Sequence, residues 1–188
     1  MKYLLGLLAS VALIVLVLVL VFRSFSAGPT LENKDPLTDY AATNAIVTMT
    51  VDGPVTSEQQ HVAYRISVGR SEARIETLKG YGYEVTDTKS YTNNQESFYA
   101  FLRALDLAGF TKGDEDVSEQ ARDERGVCAT GRRFVFELTS GTSEIQRYWS
   151  TTCRKFGTFK GSATAVRQLF SRQIPDPDFS RLTSPLGL

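Results

Sequence analysis

Two cysteines, one histidine and a few acidic clusters are the groups in this 188-residue chain with chemistry to offer. Cys128 and Cys153 bracket a segment that reads as a β-hairpin. Arg133-Phe-Val-Phe-Glu-Leu138 alternates, Thr139-Ser-Gly-Thr142 supplies a turn, and Glu144-Ile-Gln-Arg-Tyr-Trp149 returns. With Ser140 and Gly141 as the turn residues, the pairing rule sets Cys128 opposite Cys153. They fall at a non-hydrogen-bonded pair, where Cα atoms lie about 4.5 Å apart and a disulfide can close. The same parity puts Phe134, Phe136, Leu138, Ile145 and Trp149 on the face of the cysteines. A disulfide requires an oxidising compartment; two buried free thiols are the alternative. A zinc site would need three or four close ligands, and the single histidine, His61, lies in another predicted strand.

The remaining candidates are weaker. His61 begins a strand and reads as a partly exposed strand residue, because no Ser or Cys nucleophile with an orienting acid is readable beside it. Asp114-Glu-Asp116 carries oxygen ligands but lacks the alternating donors and turn glycine of a calcium loop, so it reads as solvated. Gly80-Tyr-Gly-Tyr83 lacks the lysine and strand-to-helix setting of a phosphate loop, and reads as a turn with aromatics. Tyr81 and Tyr83, placed on that turn, are the candidate exposed aromatics for binding a glycan or protein surface. No carboxylate pair stands out for hydrolysis, and no motif implies a cofactor.

The elements that must position these groups follow from periodicity. Ile46–Val51, His61–Val68, Ser71–Leu78 and Tyr83–Tyr91 read as strands, with a tight turn at Gly69-Arg70. Val62, Tyr64, Ile66 and Val68 form the apolar face of the second strand. Helical spacing follows Asn93-Asn94, either of which can cap; Phe98, Phe101, Leu102 and Leu105 make one stripe, and Gly109 stands at the C-cap. Lys112–Arg125 is predicted as an exposed charged loop. After the cysteine hairpin, Ser162 caps a second short helix with Val166, Leu169 and Phe170 inward. The order predicts an α+β fold: an antiparallel sheet of about six strands with two helices packed on one face.

Tyr3–Phe22 is uncharged and rich in Leu, Val and Ile, long enough at 1.5 Å per residue to cross about 30 Å of hydrocarbon. It exceeds a secretory h-region, and the best small-x-small candidate, Ser24-Phe25-Ser26, lies beyond Arg23, so residues 1–23 are predicted as an uncleaved transmembrane signal anchor. Residues 24–44 are predicted as a linker, 45–178 as the extracytoplasmic α+β domain, and 179–188 as an irregular tail. Lys+Arg and Asp+Glu number 21 each, which disfavours a nucleic-acid partner. The membrane is the first expected partner, through residues 3–22, and a protein or cell-surface polymer the second.

Tyr91-Thr-Asn-Asn94, Phe101-Leu-Arg-Ala-Leu105 with Gly109-Phe-Thr111, Gly126-Val-Cys128, Trp149-Ser-Thr-Thr-Cys153, Gly157-Thr-Phe159 and Gln173-Ile-Pro-Asp176 resemble a family of uncharacterised single-span envelope proteins from candidate-phylum bacteria with reduced genomes. The resemblance spans roughly residues 45–178 and implies an envelope protein of a bacterium that lives on or beside other cells; it implies no activity and no site residues. The function expected is a membrane-anchored, non-enzymatic binding or structural module of the cell envelope. One alternative is a small single-span subunit of a secretion or pilus-type assembly, for which Gly6, Ala9 and Ser10 offer a close-packing helix face. The other is an exported carboxylate-dependent hydrolase of wall material.

Overall fold

The computed structural model describes residues 36–115, 117–153 and 157–186. Six strands, β1 (Ala45–Asp52), β2 (Val62–Gly69), β3 (Glu72–Lys79), β4 (Glu84–Thr92), β5 (Arg133–Ser140) and β6 (Ser143–Thr151), form one sheet in the order β4-β3-β2-β1-β5-β6. All neighbours are antiparallel. β1 has a partner on each side, so its β-branched run is buried along nearly its whole length. Pairing aligns apolar residues in rows: Met49 lies between Ile66 and Phe136, and Val51 between Tyr64 and Phe134. Side chains alternate along a strand, so these rows share one face while Thr48, Thr50, Arg65 and Glu137 take the other.

Helices cover the apolar face. In α1 (Gln95–Leu107) the Asn94 side chain accepts from the Ser97 N–H at 2.9 Å, and Phe98, Phe101, Leu102 and Leu105 are buried as their spacing predicts. Gly109, at φ 78°, ends the helix; a side chain there would be strained and would crowd Gly161. After the four-residue α2 (Glu119–Arg122), α3 (Ala163–Ser171) starts from the Ser162 cap and buries Val166 and Phe170. Phe170 meets Phe101 edge-on at 5.2 Å between ring centroids. Each such ring contributes about 1.5–3 kcal/mol by leaving water.

The folded domain extends beyond residues 45–178 at both ends. Residues 179–188 were expected to be irregular, but α4 spans Asp176–Thr183 and a 3-10 turn follows at Ser184–Leu186. Leu182 and Leu186 enter the core, Phe179 packs edge-on against Tyr64, and the Thr77 hydroxyl donates to the Leu182 carbonyl at 3.0 Å. At the other end, Leu37–Ala42 is a 3-10 turn that buries Leu37 and Ala41, so the expected linker does not extend to residue 44. The anchor expected over residues 1–23 lies outside the described residues, as does most of that linker. Among the described residues no helix is long and apolar enough to cross a membrane.

Two turns differ from their predicted positions. The β2–β3 turn falls at Arg70-Ser71, one residue beyond Gly69-Arg70. In the β5–β6 hairpin Ser140 pairs with Ser143, leaving Gly141, with φ 59°, and Thr142 as the turn. The register then shifts again between Leu138 and Thr139, so Leu138 faces Gln146 and Phe136 faces Tyr148. That bulge reverses the parity of β6 beyond Ile145. Phe134, Phe136 and Leu138 face the helices as expected, but Ile145 is exposed and Trp149 lies on the opposite face.

Candidate binding groove

The polar face of the sheet is where the chemistry collects. Asp52 ends β1 and Arg133 begins β5, and the two are direct cross-strand partners. Both side chains are almost fully buried. Arg133 donates through Nε to Asp52 Oδ2 at 2.8 Å and through Nη2 to the same oxygen; Nη2 also reaches the Gly53 carbonyl at 2.9 Å. The other carboxylate oxygen accepts from His61 Nε2 at 2.6 Å, while Nδ1 lies 3.3 Å from the Pro54 carbonyl. His61 is thus wholly buried, contrary to the expectation of a partly exposed strand residue. With both ring nitrogens engaged inside the fold, it presents no free base to a substrate.

Tyr81 lies flat on this cluster. Its ring stacks on His61 with centroids 4.1 Å apart and planes 16° from parallel. Its hydroxyl donates to the Thr56 carbonyl at 2.9 Å and accepts from the Thr56 N–H at 3.1 Å. Even so, Tyr81 remains 44% exposed. Tyr83 follows at φ 53°, a strained conformation for a bulky residue, with the Arg65 guanidinium 5.9 Å from its ring centre. Burial, then the nearby Asp52 and Glu124 carboxylates, push its phenol up to about 12.

The opposite wall is the segment predicted as an exposed loop, which the structure orders in part. Trp149 Nε1 donates to the Ala121 carbonyl at 2.9 Å, and Arg147 Nη1 to that of Arg122 at 2.9 Å. Arg147 also binds the buried Glu124 carboxylate at 2.7 Å. Arg125 grips Asp123 through two nitrogens, holding its carboxyl at about 2. Beyond this wall Cys128 and Cys153 are disulfide-bonded, with Cα atoms 5.6 Å apart. The pairing is as predicted but the register is not. The β5–β6 ladder ends at Arg133 and Thr151, and Cys128, at φ 59°, sits outside it in a turn closed by Gly131 N–H to its carbonyl.

Between these walls lies a groove of about 920 Å³ onto which Val55, Tyr81 and Tyr83 face. Its charges pair within the protein: Asp52 with Arg133, Asp123 with Arg125, Glu124 with Arg147. Glu119 and Arg122 add one of each sign, so the lining has no net charge. A smaller groove of about 530 Å³ lies farther along the same sheet face, over Thr48, Arg65, Ser67, Arg74 and Glu137. Burial raises the Glu137 carboxyl there, against the lowering effect of Arg147.

The structure therefore brings Tyr81 and Tyr83 into one site and leaves the other candidates outside it. Asp114 pairs with Lys160 at 2.8 Å, Glu115 accepts from the Tyr148 hydroxyl, and Asp116 lies outside the described residues. Among the described residues no three acidic, His or Cys side chains gather as a metal would require. The sequence reading missed Asp52, Arg133 and the burial of His61. Asp52 carried one legible signal, strand parity, which puts it on the polar face; its partner is 81 residues away and reachable only through the β1–β5 pairing. No protein-family model matches the chain, and no curated protein matches it.

Proposed function

We propose that this chain is a membrane-anchored binding module of the cell envelope, with its α+β domain outside the cytoplasm. The observation that carries the reading is the groove: two tyrosines on a fixed charged floor, open to solvent, with its histidine sealed away from substrate. Three further features support it. Tyr3–Phe22 has the length and composition of a span, Cys128–Cys153 suits an oxidising compartment, and the family resemblance points to the envelope.

The hydrolase alternative needs a carboxyl in the groove held protonated as a general acid. Asp123 is instead held low, and the carboxyl that burial raises, Glu137, lies in the other groove, over Thr48 and Arg65. The assembly-subunit alternative draws on one observation. β4 is an edge strand with Val85 half exposed, so its outer side is open to another chain.

Location is tested on intact cells with a membrane-impermeant thiol reagent, with and without an impermeant reductant. Labelling only after reduction is the expected result. Labelling of unreduced chain only after lysis would put free thiols in the cytoplasm and overturn the reading.

A further inference from the structure

We infer that the groove between Tyr81–Tyr83 and the Glu119–Arg125 wall binds a neutral saccharide. This rests on the binding-module reading and names the class of its ligand. The first argument is charge. Asp52, Asp123 and Glu124 each already hold an arginine, and the lining as a whole is balanced. A charged ligand would meet as many groups of its own sign as of the opposite sign and would gain no surplus of attraction.

The second argument is shape and stiffness. The Tyr81 ring is fixed by its stack on buried His61 and by one hydrogen bond donated and one accepted by its hydroxyl, yet it stays partly exposed and lines the groove. A platform that is already immobile loses no side-chain entropy on binding. A pyranose ring presents a flat face of polarised C–H bonds, which complements the negative face of an aromatic ring. Its edge presents hydroxyls that both donate and accept.

The groove supplies matching partners along its rim. The Asp123–Arg125 pair is exposed and offers carboxylate acceptors beside guanidinium donors, and Gln120 adds an amide with both. The volume falls within the usual range for ligand sites. A peptide is a poorer fit. Among the side chains lining the groove only Val55, Tyr81 and Tyr83 are apolar or aromatic, which gives a peptide few anchoring contacts.

The test uses the full-length chain in detergent micelles, titrated with cellohexaose and with a β-1,4-linked N-acetylglucosamine hexamer. Saturation-transfer NMR and calorimetry are the readouts. Saturable binding by at least one oligosaccharide is expected, changing less than about twofold between roughly 0.05 and 0.5 M salt. Tyr81→Ala should weaken it by about tenfold or more, and Tyr81→Phe, which keeps the platform, by less than about threefold. If Tyr81→Ala does not fold, Tyr83→Ala replaces it, with a loss of about threefold or more expected.

Binding by neither sugar, binding that falls steeply with salt, or affinity untouched in both alanine variants would overturn the inference. These measurements do not depend on where the domain lies. A negative result here with thiol labelling as expected removes the saccharide alone. Failure of the labelling experiment removes the envelope reading.

Discussion

Asp52 lies between the Arg133 guanidinium and the His61 ring with almost no access to water. A buried ion pair gains little over a hydrophobic pair of the same shape, but breaking it strands a charge. Asp52→Ala should therefore cost about 3–5 kcal/mol, read as a lower urea midpoint at unchanged slope. Asp52→Leu combined with Arg133→Met should recover more than half of that loss. A double variant no more stable than the single one would show that the stranded charge is not the cause. At this scale the sequence was only half legible. Tyr81 and Tyr83 were visible as turn aromatics, because Gly80-Tyr-Gly-Tyr83 can hardly be anything else. Their use of His61 as a backing plate was not, because a ring stack over 20 residues of sequence leaves no local pattern.

Elements were the most legible level wherever a single face decides the structure. The α1 stripe and the alternation of β2 emerged as read, because burial selects one face at a fixed period, and the structure chose Asn94 of the two cap candidates. α4 escaped notice because Asp-Pro-Asp-Phe-Ser-Arg-Leu-Thr is polar at most positions and buries little beyond Leu182 and Thr183. Its helix depends on docking against β3, since eight residues are too few to be helical alone. Leu182→Ala should cost about 2–5 kcal/mol in chemical denaturation, as for other buried leucines. A change below about 0.5 kcal/mol would mean that the C-terminal segment is not part of the folded domain. The β5–β6 bulge is the other case: one extra residue, Ile145, moved Trp149 to the face where it anchors α2.

For the whole molecule, the disulfide joins the end of the groove wall to the end of β6 across a sequence separation of 25. Closing a loop of that length stabilises a fold by about 3 kcal/mol, chiefly by restricting the unfolded chain. A Cys128→Ala/Cys153→Ala variant should lose about that much in thermal or urea unfolding, and the same loss should follow reduction of the native chain. Retention of full stability in the variant would mean that the wall is held by Trp149 and Arg147 alone. The cysteine pair also shows how a correct expectation can rest on an incorrect register. Both cysteines lie past the end of the ladder, where the two strand ends stay close and a turn absorbs the offset.

What the sequence determined by itself is what short-range physics controls: the strands, the capped helices, the α+β class, the closeness of the two cysteines and the neutrality that disfavours nucleic acid. Each depends on spacing of a few residues or on composition. Only the tertiary structure decided that β1 lies between β2 and β5, and hence that Asp52 meets Arg133, buries His61 and gives Tyr81 its floor. Those contacts join segments separated by tens of residues. Their register depends on bulges and turn residues whose effect on side-chain facing is felt only once the strands have paired.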